Sequence, residues 1–361
     1  MTDHALFTPW TLGGLTLKNR IVMAPMTRSR AVGNVPNEAM ARYYGDRADA
    51  GLLITEGTAP SADGLGYARI PGIFTEAQIE GWRLVTDAVH ARGGAIFVQL
   101  MHCGRISHPL NMPEGAQVVA PSALQPGGTM YTDAAGPQPY PVPVALDADG
   151  LARTRDEFVQ AARNAIAAGF DGVELHGANG YLLDQFTNPQ SNQRTDAYGG
   201  DAAGRLRFPL EVARAVADAI GAERVGYRVS PHGAFNDLLP FEGTDETFTL
   251  LAQGLSDLGI AYIHVADHAS MGAPTVDPAT KAAIRKAFRG TYVLSGGYDT
   301  ERAQADLAEG KGDLVAFGRP FLANPDLIKR LATGAPLNQP NYGTLYTPGE
   351  PGYNDYPTLE G

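Results

Sequence analysis

Short apolar runs that alternate with amphipathic segments constrain the fold of this chain more than any other feature. Eight runs rich in Val, Ile and Leu recur along its 361 residues, and most are followed by a segment with helical periodicity. Nearly continuous apolar strands are typical of a parallel sheet that is covered on both faces. The runs are Arg20–Met23, Gly51–Thr55, Ala95–Leu100, Asp171–His176, Arg224–Ser230, Ala261–Ala266, Thr291–Ser295 and Asp313–Phe317.

The amphipathic segments complete eight strand–helix units. This α/β pattern predicts a closed (β/α)8 barrel, the TIM barrel, as a single domain over residues 1–361. An open, doubly wound parallel sheet is the alternative, although it gives no reason to stop at eight units. The segments are Asn37–Ala50, Thr75–Ala91, Arg155–Ala168, Arg205–Ile220, Thr244–Leu258, Thr280–Phe288, Thr300–Ala308 and Asn324–Leu331.

Three regions lie outside this repeat. Residues 5–18 predict a short N-terminal hairpin, turning at residues 13–14, that plugs the bottom of the barrel. Residues 103–150 are rich in Pro and Gly and are far longer than a usual strand–helix loop, so we expect a lid or small subdomain after the third strand. The tail, residues 337–361, contains four tyrosines, which indicate that it packs onto the barrel.

Charge and cysteine content exclude several classes of protein. Asp and Glu outnumber Lys and Arg by 39 to 28, a formal charge of −11, which argues against nucleic acid or an anionic membrane as partner. The chain lacks an apolar run of about 18 residues and a basic, apolar leader, so we expect a cytoplasmic protein without a membrane span. Cys103 is the only cysteine, which excludes an internal disulfide and an iron–sulfur cluster.

The ends of the last two strands indicate an anion site. Barrel enzymes place their chemistry at the carboxyl ends of the strands, and a phosphate commonly binds after strands seven and eight. Here those strands run into Gly296 and Gly297 and into Gly318 and Arg319, which offer backbone N–H groups and a fixed positive charge. The pattern does not exclude a purely structural role for these residues, because glycine after a strand is common and arginine often forms structural ion pairs.

The end of the fourth strand indicates a site for a polarised oxygen. His176 and Asn179 are two neutral donors three residues apart, and Tyr181 follows as a possible proton donor. The alternative is that His176 and Asn179 only hold the loop in place. None of the five lysines lies at a predicted strand end, which disfavours a Schiff-base aldolase, and we predict no metal site.

Several stretches of the sequence resemble the Old Yellow Enzyme family of FMN-dependent ene-reductases, and the likeness extends over essentially the whole chain. The longest match, residues 174–200, is very specific, and the overall pattern is most similar to the bacterial N-ethylmaleimide and pentaerythritol tetranitrate reductases. The matching stretches are residues 24–28 (APMTR), 99–105 (QLMHCGR), 174–186 (ELHGANGYLLDQF), 191–200 (SNQRTDAYGG) and 316–320 (AFGRP).

The resemblance implies a role for each matched residue. His176 and Asn179 bind the activating oxygen of the substrate, Tyr181 donates the proton, and Met101 and Tyr353 complete the substrate site. Asn179 stands where many bacterial relatives carry a second histidine, and Met101 replaces a frequent tryptophan. The implied FMN-binding residues are Pro25, Met26, Thr27, Gly57, Gln99, Arg228, Gly296, Gly297, Gly318 and Arg319.

The implied activity is the reduction of activated alkenes with NADPH or NADH, through non-covalently bound FMN. The substrates would be α,β-unsaturated carbonyls, maleimides and nitroalkenes, and we expect a monomer or a weak homodimer. Two rivals stay open at this point. One is a flavin-free, phosphate-binding isomerase or aldolase on the same barrel, and the other is a flavin-binding protein without catalytic activity.

Overall fold

Eight parallel strands close into a barrel in the computed structural model, which describes residues 4–360. Six further short strands lie outside the barrel in that part of the chain. In chain order the strands are β1 (Trp10–Leu12), β2 (Leu15–Leu17), β3 (Ile21–Met23), β4 (Leu52–Ile54), β5 (Ile96–Leu100), β6 (Val119–Ala120), β7 (Thr129–Thr132), β8 (Gly136–Pro139), β9 (Val144–Ala145), β10 (Gly172–Gly177), β11 (Val225–Val229), β12 (Tyr262–Ala266), β13 (Thr291–Ser295) and β14 (Leu314–Phe317).

The barrel order is β3-β4-β5-β10-β11-β12-β13-β14, and β14 pairs with β3 to close it. Val315 pairs with Ile21 at this seam. Val173 of β10 pairs with Val98 of β5, although the long insertion separates these two strands in the sequence. The predicted TIM barrel is therefore confirmed, and each observed barrel strand lies within one or two residues of its predicted bounds. Most residues of the strands are apolar on both faces because one face fills the barrel and the other packs under helices.

The helices surround the barrel. They are α1 (Glu38–Gly45), α2 (Glu76–His90), α3 (Ala148–Ala167), α4 (Leu182–Thr187), α5 (Ala202–Ile220), α6 (Thr244–Asp257), α7 (Pro278–Ala287), α8 (Thr300–Ala308), α9 (Arg319–Ala323) and α10 (Leu327–Thr333). Among the residues described, none of these helices is long and apolar enough to cross a membrane.

Local hydrogen bonds decide where the helices begin. α2 begins after Thr75, whose hydroxyl accepts from the N–H of Gln78 in a capping box. α3 begins seven residues before its predicted start, because the carboxylate of Asp147 accepts from the N–H of Gly150 at 2.7 Å. The helix predicted over residues 324–331 is α10, which begins three residues later than expected. A short helix, α9, precedes it and ends before Asn324, whose side-chain amide donates to the carbonyl of Pro320.

The predicted N-terminal hairpin forms, with β1 antiparallel to β2 across a turn at Gly13 (φ +54°). Leu12 and Leu17 are fully buried and pack into the barrel interior against residues such as Phe97 and Tyr262. The hairpin therefore closes the end of the barrel opposite the carboxyl ends of the strands.

The insertion after β5 folds into two small sheets. β7 and β8 form a hairpin, and β6 pairs in parallel with β9. Ile106, Met130 and Tyr140 of this insertion form a buried cluster against Tyr67 and Tyr181. The insertion thus contacts the mouth of the barrel, beside one of the predicted catalytic residues.

Candidate active site

A cavity of about 700 Å³ lies at the carboxyl ends of the barrel strands. Fourteen of the fifteen predicted site residues line it, although they come from strands and loops spread over almost 300 residues of sequence. These fourteen are Pro25, Met26, Thr27, Gly57, Gln99, Met101, His176, Asn179, Tyr181, Arg228, Gly296, Gly297, Gly318 and Arg319.

Tyr353 is the exception, and its expected place in the substrate site was wrong. Its side chain is fully buried and stacks on Tyr43, with 4.2 Å between the ring centres, and the Arg28 guanidinium lies 5.0 Å from its ring. Two other tyrosines of the tail, Tyr342 and Tyr346, line the cavity instead. Of the four tyrosines expected to pack the tail down, these two are mostly exposed.

Two arginines hold the tail against the barrel. Arg28 donates to the carbonyl of Gly352 at 2.7 Å, and Arg30 donates to the carbonyls of Leu345 and Thr344 at 2.7 and 2.8 Å. Both arginines directly follow Thr27 of the predicted flavin site. The tail therefore forms a fixed wall of the cavity, which motif spacing alone could not reveal.

The ring of His176 is a neutral donor. Its Nδ1 accepts from the N–H of Ala178 at 3.3 Å. Burial, together with the positive charge of Arg228, lowers the pKa of His176 well below its ordinary value, so the ring stays uncharged. A neutral imidazole that accepts at Nδ1 carries its proton on Nε2, which is the nitrogen left to donate to a ligand.

Asn179 is held in a left-handed backbone conformation (φ +60°). Its N–H donates to the Ser230 hydroxyl at 2.8 Å, and its carbonyl accepts from the Asn236 amide at 2.7 Å. Its side-chain Oδ1 lies 2.8 Å from Nε2 of His268. With the backbone bonded on both sides and Oδ1 occupied, the NH₂ group of Asn179 is the part that is free to bind a ligand in the cavity.

Tyr181 lies beside His176, with 4.9 Å between the ring centres. Its phenol donates to the hydroxyl of Tyr67 at 3.0 Å. Burial raises the pKa of both phenols above their ordinary values, so both remain protonated at neutral pH. Tyr67 comes from the long loop after β4, where the sequence carries no recognisable signal for a functional residue.

A second cavity of about 750 Å³ adjoins the first, and we call it the outer chamber. Tyr181 and Thr27 line both cavities, as do Tyr342 and Tyr346 of the tail. Residues 129–131 and Asp133 of the insertion form the opposite wall of the outer chamber. The insertion expected to act as a lid therefore contributes the outer part of the site, at the opening above Tyr181.

A buried polar network lies beneath the cavity. The Gln99 amide donates to Glu174 at 2.8 Å, and Tyr262 and Nδ1 of His264 contact the other carboxylate oxygen at 3.0 and 2.8 Å. Burial alone would raise the pKa of Glu174, but His264, Arg228 and Gln99 together outweigh it and the net shift is downward. These bonds use both oxygens of Glu174 for structure, and the described residues contain no group of three or more His, Cys, Asp or Glu side chains that could hold a metal.

The residues around the cavity fit an FMN. Arg228 is buried, and its Nε has no hydrogen-bond partner among the residues described, so it requires an acceptor from a ligand. At the opposite end, Gly297 has φ +64°, and a Cβ there would come within 2.8 Å of the Ser270 side chain. Arg319 lies beside this narrow turn and donates to the carbonyl of Ser270. One end thus suits an electron-rich ring edge and the other a phosphate.

A TIM barrel with such a cavity suits the class of FMN-dependent oxidoreductases. The family model described as "NADH:flavin oxidoreductase / NADH oxidase family" matches residues 5–338. The chain belongs to this family, and within it to the Old Yellow Enzyme group of ene-reductases. FMN is accordingly its cofactor, a nicotinamide nucleotide is its reductant, and the flavin-free isomerase or aldolase is excluded.

The relatives have similar lengths and folds. A Leishmania infantum protein described as "Probable flavin mononucleotide-dependent alkene reductase" is 45% identical and covers 98% of this chain and 97% of its own. The 12-oxophytodienoate reductase 1 of Oryza sativa subsp. japonica is 42% identical over 98% and 93%. The solved structure of morphinone reductase gives a TM-score of 0.95 at 45% identity over 99% and 97%. The old yellow enzyme homologue of Zymomonas mobilis gives 0.94 at 44% over 98% and 100%.

Proposed function

We propose that the protein reduces the activated C=C bonds of α,β-unsaturated ketones and aldehydes, maleimides and nitroalkenes, with NADPH or NADH as the reductant. FMN, when bound, supplies the redox centre that takes a hydride from the nicotinamide and gives it to the alkene. The observation that carries the proposal is that His176 and Asn179 both line the cavity beside the Tyr181 phenol, each with an N–H donor that is free to bind a ligand.

His176 and Asn179 act on the electron-withdrawing group of the substrate. Two N–H donors that meet on a carbonyl or nitro oxygen stabilise the negative charge that develops there as a hydride adds to the β-carbon. Both donors are uncharged and held by the protein before substrate binds, so little reorganisation is required. The low pKa of His176 keeps this donor set unchanged across the range in which an exposed histidine titrates.

Tyr181 completes the reduction by giving its phenolic proton to the α-carbon. The β-carbon has then gained a hydride and the α-carbon a proton, so the product is the saturated compound and the phenolate must regain one proton. The raised pKa of Tyr181 favours both the protonated resting state and rapid recovery of that proton. Tyr67, hydrogen-bonded to the phenol, lies on the route to the outer chamber.

The other cavity residues would hold the FMN. Gln99 and Arg228 suit the pyrimidine edge, Thr27 would bond the carbonyl at C4, and Gly57 would give a backbone contact. Pro25 and Met26 would line the ring, while Gly296, Gly297, Gly318 and Arg319 would hold the phosphate. We also propose that the whole chain works as one FMN-binding domain, with residues 103–150 covering the site.

The test is a pair of half-reactions on the purified, flavin-loaded protein. We expect NADPH or NADH to bleach the flavin absorption in the absence of oxygen, and 2-cyclohexenone, N-ethylmaleimide or a nitroalkene to restore it. Asn179→Ala should slow the restoration more than it lowers the flavin content. A protein that bleaches but is reoxidised by none of these compounds would contradict the proposal and leave a flavin-binding protein without this activity.

A further inference from the structure

The side chain of Asn179 can bind an acceptor only if its amide is turned the right way. A carboxamide has an accepting oxygen on one side and a donating NH₂ group on the other. If the oxygen faced the cavity, it would repel the carbonyl or nitro oxygen that the site is proposed to bind, and any probe with an anionic oxygen such as a phenolate. Some other group must therefore hold the oxygen of Asn179 away from the ligand.

His268 is the group in contact with that oxygen. Its Nε2 lies 2.8 Å from Oδ1 of Asn179, in the loop that follows β12. The backbone of Asn179 is already bonded at both its N–H and its carbonyl, so these bonds fix the position of the residue but leave its amide free to rotate. Within the part of the chain described, the contact with His268 is the one hydrogen bond that distinguishes the two amide orientations.

The ring of His268 is itself held in place. It packs edge-on against Phe235, with 4.7 Å between ring centres. The preceding residue, Asp267, is tied to Lys281 of α7 and accepts from the N–H of Ala269. Burial, then the nearby charge of Arg228, lowers the pKa of His268 to about 3, so the ring is neutral and carries a single N–H.

We propose that His268 is a positioning residue: it donates Nε2–H to Oδ1 of Asn179 and thereby turns the NH₂ group of Asn179 toward the acceptor oxygen. This inference rests on the proposed function, since it assumes that Asn179 binds that oxygen. With the proton on Nδ1 instead, His268 would accept from Asn179, and the amide would present its oxygen to the ligand. The tautomer of one histidine outside the predicted site thus sets which ligands Asn179 can bind.

Three variants at position 268 separate orientation from packing. We expect His268→Gln to preserve the effect, because its side-chain NH₂ group can still donate. His268→Leu removes the donor and should weaken the binding of 4-cyanophenolate to the oxidised, flavin-loaded protein roughly tenfold. His268→Glu replaces the donor by an acceptor and should weaken binding by roughly a hundredfold, because it draws the NH₂ group away from the ligand. Isothermal titration calorimetry measures all three affinities without turnover.

A double-mutant cycle tests whether His268 acts through Asn179. If it does, His268→Leu should weaken phenolate binding in the natural protein and have little further effect in Asn179→Ala. Equal, additive losses in both backgrounds would overturn the inference, as would equal affinities for the Gln and Glu variants. The proposed function is tested separately by Asn179→Ala alone: unchanged phenolate affinity in that variant would contradict the role of Asn179 itself.

The tautomer can be observed directly. In protein labelled with ¹⁵N-histidine, long-range ¹H–¹⁵N correlations distinguish a protonated Nε2 from a protonated Nδ1. We expect the His268 signals, assigned by their loss in His268→Gln, to show a protonated Nε2 both with and without the phenolate. A protonated Nδ1 would overturn the inference whatever the affinities.

Discussion

The two ends of the cavity, called here the acceptor end and the phosphate end after the groups proposed to bind there, differ in the kind of donor they offer. At the acceptor end, His176, Asn179 and Tyr181 offer neutral side-chain donors whose protonation and orientation are fixed by neighbours. At the phosphate end, Gly297 and Arg319 offer a narrow turn of backbone and a permanent charge. The first arrangement suits an oxygen whose charge appears only during the reaction, and the second suits a group that is always charged.

This difference predicts that the two ends can be damaged separately. Substitutions at the acceptor end should change the rate of alkene reduction while the flavin stays bound. Substitutions at the phosphate end should change the affinity for FMN while leaving the reaction of the bound fraction largely intact.

The largest effect should come from His176→Ala. Removing one preorganised donor of this kind costs about 10²–10³-fold in rate, so we expect that loss in the reoxidation of the reduced protein by 2-cyclohexenone. Stopped-flow absorbance measures it, and the flavin content of the variant serves as the control. A variant that loses FMN and rate in parallel would show that the two ends are not separable.

Tyr181→Phe should slow the reduction of 2-cyclohexenone by about 10²-fold, the usual contribution of a positioned acid. A nitroalkene should be affected much less, because its product anion is stable enough to take a proton from water. The matched control is Tyr67→Phe, which keeps the Tyr181 phenol and removes only its hydrogen-bond partner. Equal slowing of both substrates by Tyr181→Phe would argue against proton transfer from this residue.

Gly297→Ala should weaken FMN binding about tenfold, because the turn proposed to hold the phosphate would have to move to relieve about 1–2 kcal/mol of left-handed strain. Its Cβ would also crowd the Ser270 side chain. Fluorescence titration of the apoprotein with FMN measures the affinity. Gly310→Ala is the matched control, because Gly310 has a similar φ of +69° with open space around it. Gly310→Ala should lower the free energy of unfolding and leave the FMN affinity unchanged.

The smallest effect on the reaction itself is expected at Asp184, which supports the loop between Asn179 and Tyr181 by accepting from the N–H of Gly180. Burial raises the pKa of Asp184 to about 7, whereas an unfolded Asp titrates near 3.9. Between about pH 4 and about pH 7, Asp184 is therefore protonated in the folded state and ionised in the unfolded state. The free energy of unfolding consequently falls as the pH rises from about 4 to about 7. At about 1.4 kcal/mol per pH unit this amounts to about 4 kcal/mol, and Asp184→Asn should remove this pH dependence, measured by urea unfolding at several pH values. A difference between variant and natural protein that is independent of pH would contradict this.

The sequence was sufficient to predict the barrel and to bring most of the predicted site residues to one cavity. β13 and α8 have their predicted bounds, because an apolar run and an amphipathic segment each have one stable environment in this architecture. The carboxyl ends of parallel strands must meet at one end of the barrel, so Gln99 and Arg319 could be assigned to one cavity although they are far apart in sequence.

The site residues that were not predicted depend on packing between distant parts of the chain. Tyr346 and Tyr353 are both tyrosines in a tail without periodicity, and only the bonds from Arg28 and Arg30 decide which of them reaches the cavity. Tyr67 and His268 were missed for a similar reason. Tyr67 contacts Tyr181 and His268 contacts Asn179, and the role proposed for each rests on that one contact. No local sequence pattern predicts a contact between loops 89 or more residues apart.

The seam between the first and last barrel strands also bears on how the protein acquires its flavin. Thr27 follows β3 and Arg319 follows β14, so these two cavity residues become neighbours only after the seam has formed. A partly folded intermediate with an open seam would lack a complete pocket for the isoalloxazine and phosphate together. Quenching of flavin fluorescence during refolding would therefore report the moment of ring closure, and it should lag behind the recovery of helical circular dichroism.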